Sequence, residues 1–128
     1  MIIDSSIAAA ICLGESDAET YLELLVDAHS LSMGAATYAE AAVVIDARQP
    51  GAFDQFVTNL DIEIVPFTLE QAEIARETYQ RFGKGSGHPA KLNFGDCLSY
   101  AVAVALDQPL LFKGNDFSYT DVASVPIP

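Results

Sequence analysis

Four carboxylates of this 128-residue chain stand apart from its other acids by the company they keep. Asp4 closes the apolar run Met1-Ile2-Ile3, where an unpaired charge is costly. Glu40 is the only acid between Asp27 and Asp46, in an otherwise apolar stretch. Asp96 follows Asn93-Phe94-Gly95 at the start of another, and Asp116 follows Lys113-Gly114-Asn115. Carboxylate oxygens without Cys or His suit hard ions such as Mg²⁺ or Mn²⁺ rather than zinc. Such ions lower the pKa of a bound water and stabilise the charge of an in-line attack on phosphorus. Four carboxylates can serve one ion or two.

Each acid also has a structural reading. Thr37-Tyr38-Ala39-Glu40 fits a capping box, and Asp96 stands in the same relation to Asn93 while favouring the positive end of a helix. Gly114-Asn115-Asp116 is turn chemistry. Asp4 resists such a reading most. Taken together, four acids on one edge with no paired base repel one another unless a cation holds them.

The elements that must position them follow from periodicity. Short apolar segments at 1–4, 31–33, 62–65, 110–112 and 123–125 read as strands. Helices are expected over 7–13, from a capping box at Ser16-Asp17-Ala18-Glu19 to 29, over 35–48 and over 53–60. Two more run from a capping box at Thr68-Leu69-Glu70-Gln71 to 82, and from Asn93 to 106. The segment 83–91 is the clearest loop, rich in Gly, Ser and Pro. Short apolar strands alternating with helices predict an α/β fold, a three-layer α/β/α sandwich around a mostly parallel sheet. In such a sheet each helix starts near the carboxyl edge, where ligand crevices lie. Asp4, Glu40, Asp96 and Asp116 all fall at that edge.

Composition bounds the rest. One domain and one core suit this length, and a chain that is 51% hydrophobic with 19% charged residues is not disordered. No apolar run approaches the roughly 20 residues that span a bilayer. The start has no basic leader, so a secretory signal is not expected and a cytoplasmic protein is. Cys12 and Cys97 sit in apolar helical patterns and read as buried thiols. The formal net charge of -12 repels nucleic acid at long range and attracts divalent metal or a cationic partner.

A local patch must therefore meet any phosphate, and Arg76, Arg81, Lys84 and Lys91 fall in one short stretch. Arg76 and Arg81 read first as partners of Glu73 and Glu77 on a solvated helix face. Lys84 and Lys91 remain candidate RNA contacts. His88 reads as a loop residue. The apolar helix carrying Tyr38, Val43 and Val44 has more hydrophobic surface than one sheet face covers, which suggests a dimer contact.

The residues that carry chemistry resemble those of PIN-domain ribonucleases of the VapC toxin type, over essentially the whole chain. The likeness rests on Met1-Ile2-Ile3-Asp4-Ser5-Ser6, Tyr38-Ala39-Glu40, Asn93-Phe94-Gly95-Asp96-Cys97-Leu98-Ser99-Tyr100-Ala101 and Pro109-Leu110-Leu111-Phe112-Lys113-Gly114-Asn115-Asp116-Phe117, with Thr120-Asp121 beyond. The resemblance implies one PIN-like nuclease domain over 1–128, with Asp4, Glu40, Asp96 and Asp116 as catalytic metal ligands. Ser6 matches a small polar position that hydrogen-bonds the acids, and Asn115 is a further contact. Asp121 is a rival for the fourth ligand position. Also implied are Mg²⁺- or Mn²⁺-dependent endonucleolytic cleavage of structured RNA (transfer or ribosomal), a homodimer, and a VapB-type antitoxin with a basic segment.

The alternative is a non-catalytic regulatory domain of the phosphoacceptor receiver type, which also groups acids at a sheet edge. Lys113 suits it, but Asp4-Ser5-Ser6 lacks the paired acid it requires.

Overall fold

The computed structural model describes every residue from Met1 to Pro128. In chain order the elements are β1 (Ile2–Ile3), α1 (Ser5–Cys12), α2 (Ala18–Asp27), β2 (Ser32–Gly34), α3 (Ala35–Arg48), α4 (Ala52–Asn59), β3 (Glu63–Val65), α5 (Leu69–Phe82), α6 (Phe94–Ala105) and β4 (Leu110–Leu111). A short 3-10 turn, Asp116–Tyr119, follows. The sheet order is β3-β2-β1-β4, and every pairing is parallel. The expected fifth strand reduces to one parallel bridge between Leu110 and Ser124. Two backbone hydrogen bonds carry it, Leu110 N–H to the Ala123 carbonyl and Val125 N–H to that of Leu110.

Successive strand residues point to opposite faces, so β1 and β4 each feed two cores. Ile3, Met33 and Leu111 pack with Ile7, Leu25, Ile45 and Phe53 of α1 to α4. Ile2 and Leu110 pack with Ala75 and Phe82 of α5 and with Tyr100 and Ala101 of α6. Both sheet faces are thus covered, and the three-layer α/β/α sandwich read from the sequence is the fold. Each fully buried aliphatic side chain contributes roughly 1.5–3 kcal/mol. No helix is long and apolar enough to cross a membrane.

Helix starts decide where the acids stand. Thr68 and Asn93 cap α5 and α6 as expected, Thr68 accepting from the Gln71 N–H at 3.2 Å, and α6 opens with a complete Asn93/Asp96 capping box. The other two expected boxes do not form. α2 begins after Asp17, whose side chain makes no cap bond and is held by Lys113 Nζ at 3.0 Å. α3 begins at Ala35 with Gly34 at its N-cap, two residues before Thr37. A Cβ at Gly34 would lie 2.7 Å from Val102 Cγ2, so β2 packs on α6 more closely than a larger residue permits. Thr37 is therefore inside α3, fully buried, and its hydroxyl meets Ser99 of α6.

The loop 83–91 is pinned at its base by Lys84 N–H to the Leu92 carbonyl and Leu92 N–H to the Phe82 carbonyl, both 2.9 Å. His88 belongs to this scaffold: its Nδ1 accepts from the Ala90 N–H, and its ring meets Phe82 edge-on. Tyr38, expected on a dimer face, packs into the core with its ring 5.0 Å from Phe53. Val43 and Val44 stay exposed.

Candidate active site

Asp4 is held by three elements. It is 4% exposed at the end of β1, and it caps α1: Oδ2 accepts from the Ser6 N–H at 3.1 Å and the Ser6 hydroxyl at 2.6 Å. Its Oδ1 accepts from the Ser99 hydroxyl at 2.5 Å. A structural role for Asp4 thus exists after all, as a helix cap satisfied by hydroxyl and amide donors without any cation. Ser99 has one hydrogen and gives it to Asp4, so in its 3.3 Å contact with Thr37 it accepts. The result is a buried relay from Thr37 of α3 through Ser99 of α6 to Asp4. Ser6 completes the surround, its oxygen accepting from the Lys113 N–H at 3.0 Å and so tying β1 to the segment after β4.

Asp96 stands in the first turn of α6 and closes the capping box, Oδ2 accepting from the Asn93 N–H at 3.0 Å. Burial pushes its carboxyl up to about 6; the Asn93 amide opposes the rise, and the charges of Asp4, Asp116 and Glu40 add to it. Asp96 thus lies within reach of the charge of acids from three other elements.

Glu40 and Asp116 have no structural hydrogen bond to explain them. Glu40 is exposed and lies against the backbone of Gly95, where an added Cβ would come within 2.1 Å of its Oε2. Asp116 is exposed at the start of the 3-10 turn, preceded by Asn115, whose side chain forms no cap. A cavity of about 240 Å³ opens beside this group, lined by Ser5, Ser6, Glu40, Val44, Asn93 and Asp96. A larger one of about 640 Å³ lies at the amino edge of the sheet, around His29, Ser30, Asn59 and Asp61, away from all four acids.

No three His, Cys, Asp or Glu side chains are grouped so as to chelate a metal ion. Asp96 feels the charge of the other three acids, and holding an ion requires the four carboxylates to draw together. Their donor chemistry fits a hard divalent ion: the lining offers carboxylate, hydroxyl and amide oxygens, and the nearest thiol, Cys97, is buried and pushed up to about 11 by that burial.

Other expected site residues lie elsewhere. Asp121 accepts from the Tyr100 hydroxyl at 2.5 Å and pairs with Arg81 at 3.4 Å. The Tyr100 bond, more than the Arg81 charge, holds the Asp121 carboxyl below its usual range. Arg81 therefore pairs with Asp121, with its guanidinium 4.6 Å from the Phe82 ring, and not with the glutamates of its own helix. Arg76 makes no ion pair either. Lys84 and Lys91 are exposed and unpaired, and neither lines the cavity beside the acids. Lys113 is taken up by Glu15 and Asp17. Sequence reasoning missed Ser99, which looks like one more small residue in an apolar helix. Its spacing three residues after Asp96, and four after Gly95, was the available signal.

With this geometry in view, the comparisons are direct. The family model described as PIN domain matches residues 1–123. The chain therefore belongs to the PIN-domain family. Among curated relatives it is 44% identical over 126 residues to Ribonuclease VapC28 of Mycobacterium tuberculosis, covering 95% of each chain. It is 43% identical over 129 residues to a Ribonuclease VapC of Mycolicibacterium smegmatis, covering 98% of this chain and 99% of that one. Among solved structures, M. tuberculosis VapC20, described as a Sarcin-Ricin loop cleaving toxin, superposes with a TM-score of 0.78 at 19% identity, covering 99% and 98% of the two chains. A toxin–antitoxin complex from Klebsiella pneumoniae superposes with a TM-score of 0.74 at 17% identity, covering 98% and 96%. At such identities the two structures speak for the fold.

Proposed function

We propose that the chain is a VapC-type endoribonuclease, the toxin of a toxin–antitoxin pair, which cuts structured RNA at the carboxyl edge of its sheet. The observation that carries this reading is the carboxyl edge itself: Asp96, half-buried at the start of α6, feels the charge of Asp4, Asp116 and Glu40, and none of the four is ion-paired with a Lys or Arg. Acids arranged this way destabilise the empty protein and stabilise it when a cation arrives. Near full-length similarity to curated VapC ribonucleases supports the RNA substrate.

In this reading Asp4, Glu40, Asp96 and Asp116 hold Mg²⁺ or Mn²⁺, which when bound supplies an activated water and charge stabilisation at phosphorus. Ser6 and Ser99 fix the carboxylate of Asp4 from both oxygens. Asn115 presents Asp116, and Lys84 and Lys91 offer unpaired cations for the RNA backbone. Asp121 acts away from the ion, holding the chain after Asp116 to α5 and α6 through Arg81 and Tyr100.

The partner is a VapB-type antitoxin whose basic segment answers the -12 charge and the uncompensated acids. A homodimer buries Val43 and Val44, which are 74% and 49% exposed on α3. A monomer mass independent of concentration in sedimentation removes that part.

The test of the nuclease reading is cleavage of total RNA with Mg²⁺ or Mn²⁺, by the native chain and by Asp4→Ala and Asp96→Ala. Both variants should be inactive, and excess chelator should stop the native protein. Cleavage that survives in both variants, or in chelator, overturns the reading. Sequencing the RNA ends then names the target.

A further inference from the structure

Three of the four acids come from different elements, yet each is placed by the same short stretch of α6. Asp96 belongs to that helix. Asp4 is fixed by the Ser99 hydroxyl at 2.5 Å, itself backed by the buried Thr37 hydroxyl. Glu40, an exposed side chain with no hydrogen bond, rests where Gly95 has no Cβ; a methyl group there would lie 2.1 Å from Oε2 and 2.9 Å from the carboxylate carbon. Gly95 and Ser99 are four residues apart and so share one face of the helix, directly above and below each other across one turn.

Gly95 is not needed there by the fold alone, and Ser99 serves the fold only through the two polar groups it joins, Asp4 and Thr37. Gly95 is not among the residues of positive φ, so alanine fits its backbone, and glycine within a helix is otherwise a cost. Ser99 is a hydroxyl at 1% exposure inside an apolar helix, where a core residue would ordinarily be aliphatic. Both choices make sense if the helix is shaped around the neighbouring carboxylates.

We propose that Gly95 and Ser99 are positioning residues, through which α6 sets the separation of Glu40 and Asp4 from Asp96 for metal binding. Gly95 acts by leaving room, and Ser99 acts by a hydrogen bond that selects the orientation of Asp4. The proposal rests on the metal-dependent reading above. Partners of this kind, one step removed from an ion, typically change metal affinity by about 10- to 100-fold when lost. Alanine at 95 does not block the site; the flexible end of Glu40 swings away from it. Alanine at 99 frees Asp4 Oδ1 and leaves the Thr37 hydroxyl without its acceptor.

The test is Mn²⁺ titration of the full chain without RNA, reading free Mn²⁺ by electron paramagnetic resonance, alongside melting temperature. Gly95→Ala should weaken Mn²⁺ binding about tenfold while leaving the melting temperature unchanged or higher, because alanine favours the helix. That opposition is the mark of positioning, since a residue serving only the fold moves both downward. Ser99→Ala should weaken binding by a similar factor. In a Glu40→Ala background Gly95→Ala should cost nothing more, and in an Asp4→Asn background neither should Ser99→Ala. Native-like Mn²⁺ affinity in the single variants, or losses that simply add to those of the acid variants, overturns the proposal while leaving the nuclease reading intact. Absence of Mn²⁺ binding by the native chain overturns both.

Discussion

At Asp121 both carboxylate oxygens have a donor, the Tyr100 hydroxyl at 2.5 Å and Arg81 at 3.4 Å, and the carboxyl is held below its usual range. At Asp96, in the first turn of α6, one backbone amide is the only donor, and burial, with a smaller push from three further acids, raises the carboxyl to about 6. Glu15 and Asp17 repeat the first pattern around Lys113, and Asp17 is likewise lowered, chiefly by its Lys113 hydrogen bond. Asp121, Glu15 and Asp17 are each paired with a cation of the chain itself. The Asp96 neighbourhood is left for something the chain does not supply.

The sharpest way to break this contrast is by activity. Asp4→Ala and Asp96→Ala should each lower RNA cleavage by on the order of 10²-fold or more, whereas Asp17→Asn should leave it unchanged. Equal losses at all three positions would mean that the contrast carries no functional information.

Next in size is the pH dependence of stability without metal. The folded carboxyl of Asp96 titrates near 6 against an ordinary value near 4, so the folded state holds its proton more tightly. Stability therefore falls as pH rises between those values, and the penalty is fully present above about 6. Asp96 is partly exposed, so solvent screening reduces that penalty to about 1 kcal/mol. Asp96→Asn should raise the melting temperature at about pH 7.5 and not at about pH 4, and added Mn²⁺ should stabilise the native chain alone. A variant less stable at both pH values would make Asp96 a structural cap only.

For Asp121 the sign reverses: a lowered carboxyl stabilises above its ordinary titration range, and that stability is lost as pH falls through the folded value. Tyr100→Phe and Asp121→Asn should each cost about 1 kcal/mol in urea denaturation, and the double variant little more than either. Fully additive costs would separate the two groups. The smallest effect belongs to Lys113→Met. Its two partners are on the surface, so a slight loss of melting temperature should vanish in high salt. A loss that persists in salt would point instead to packing of its hydrocarbon stem.

Much of this was legible beforehand because the signals were local. A run of alternating strand and helix patterns carried the layers, and α3 begins and ends where its apolar periodicity does. Asn93 and Thr68 each had a partner three residues on, and both caps formed. Thr37 and Ser16 carried the same local signature and did not cap. At Thr37 the helix has already begun, with Gly34 at its N-cap, and the side chain is turned inward to Ser99 of α6. At Ser16 the N-cap position falls instead to Asp17, whose carboxylate is held by Lys113 from far along the chain. Arg81 likewise prefers Asp121, forty residues away, to the glutamates beside it.

Sequence by itself determined the covered parallel sheet and the edge at which Asp4, Glu40, Asp96 and Asp116 stand, because strand and helix periodicity fix which end of each element a residue occupies. Only the tertiary structure decided which acids are already answered and which are not. That depends on side chains meeting across elements, Ser99 on Asp4, Tyr100 and Arg81 on Asp121, and Gly95 beneath Glu40. Such meetings are set by how two faces pack, and spacing along the sequence names at most the face a residue occupies, not the side chain it meets.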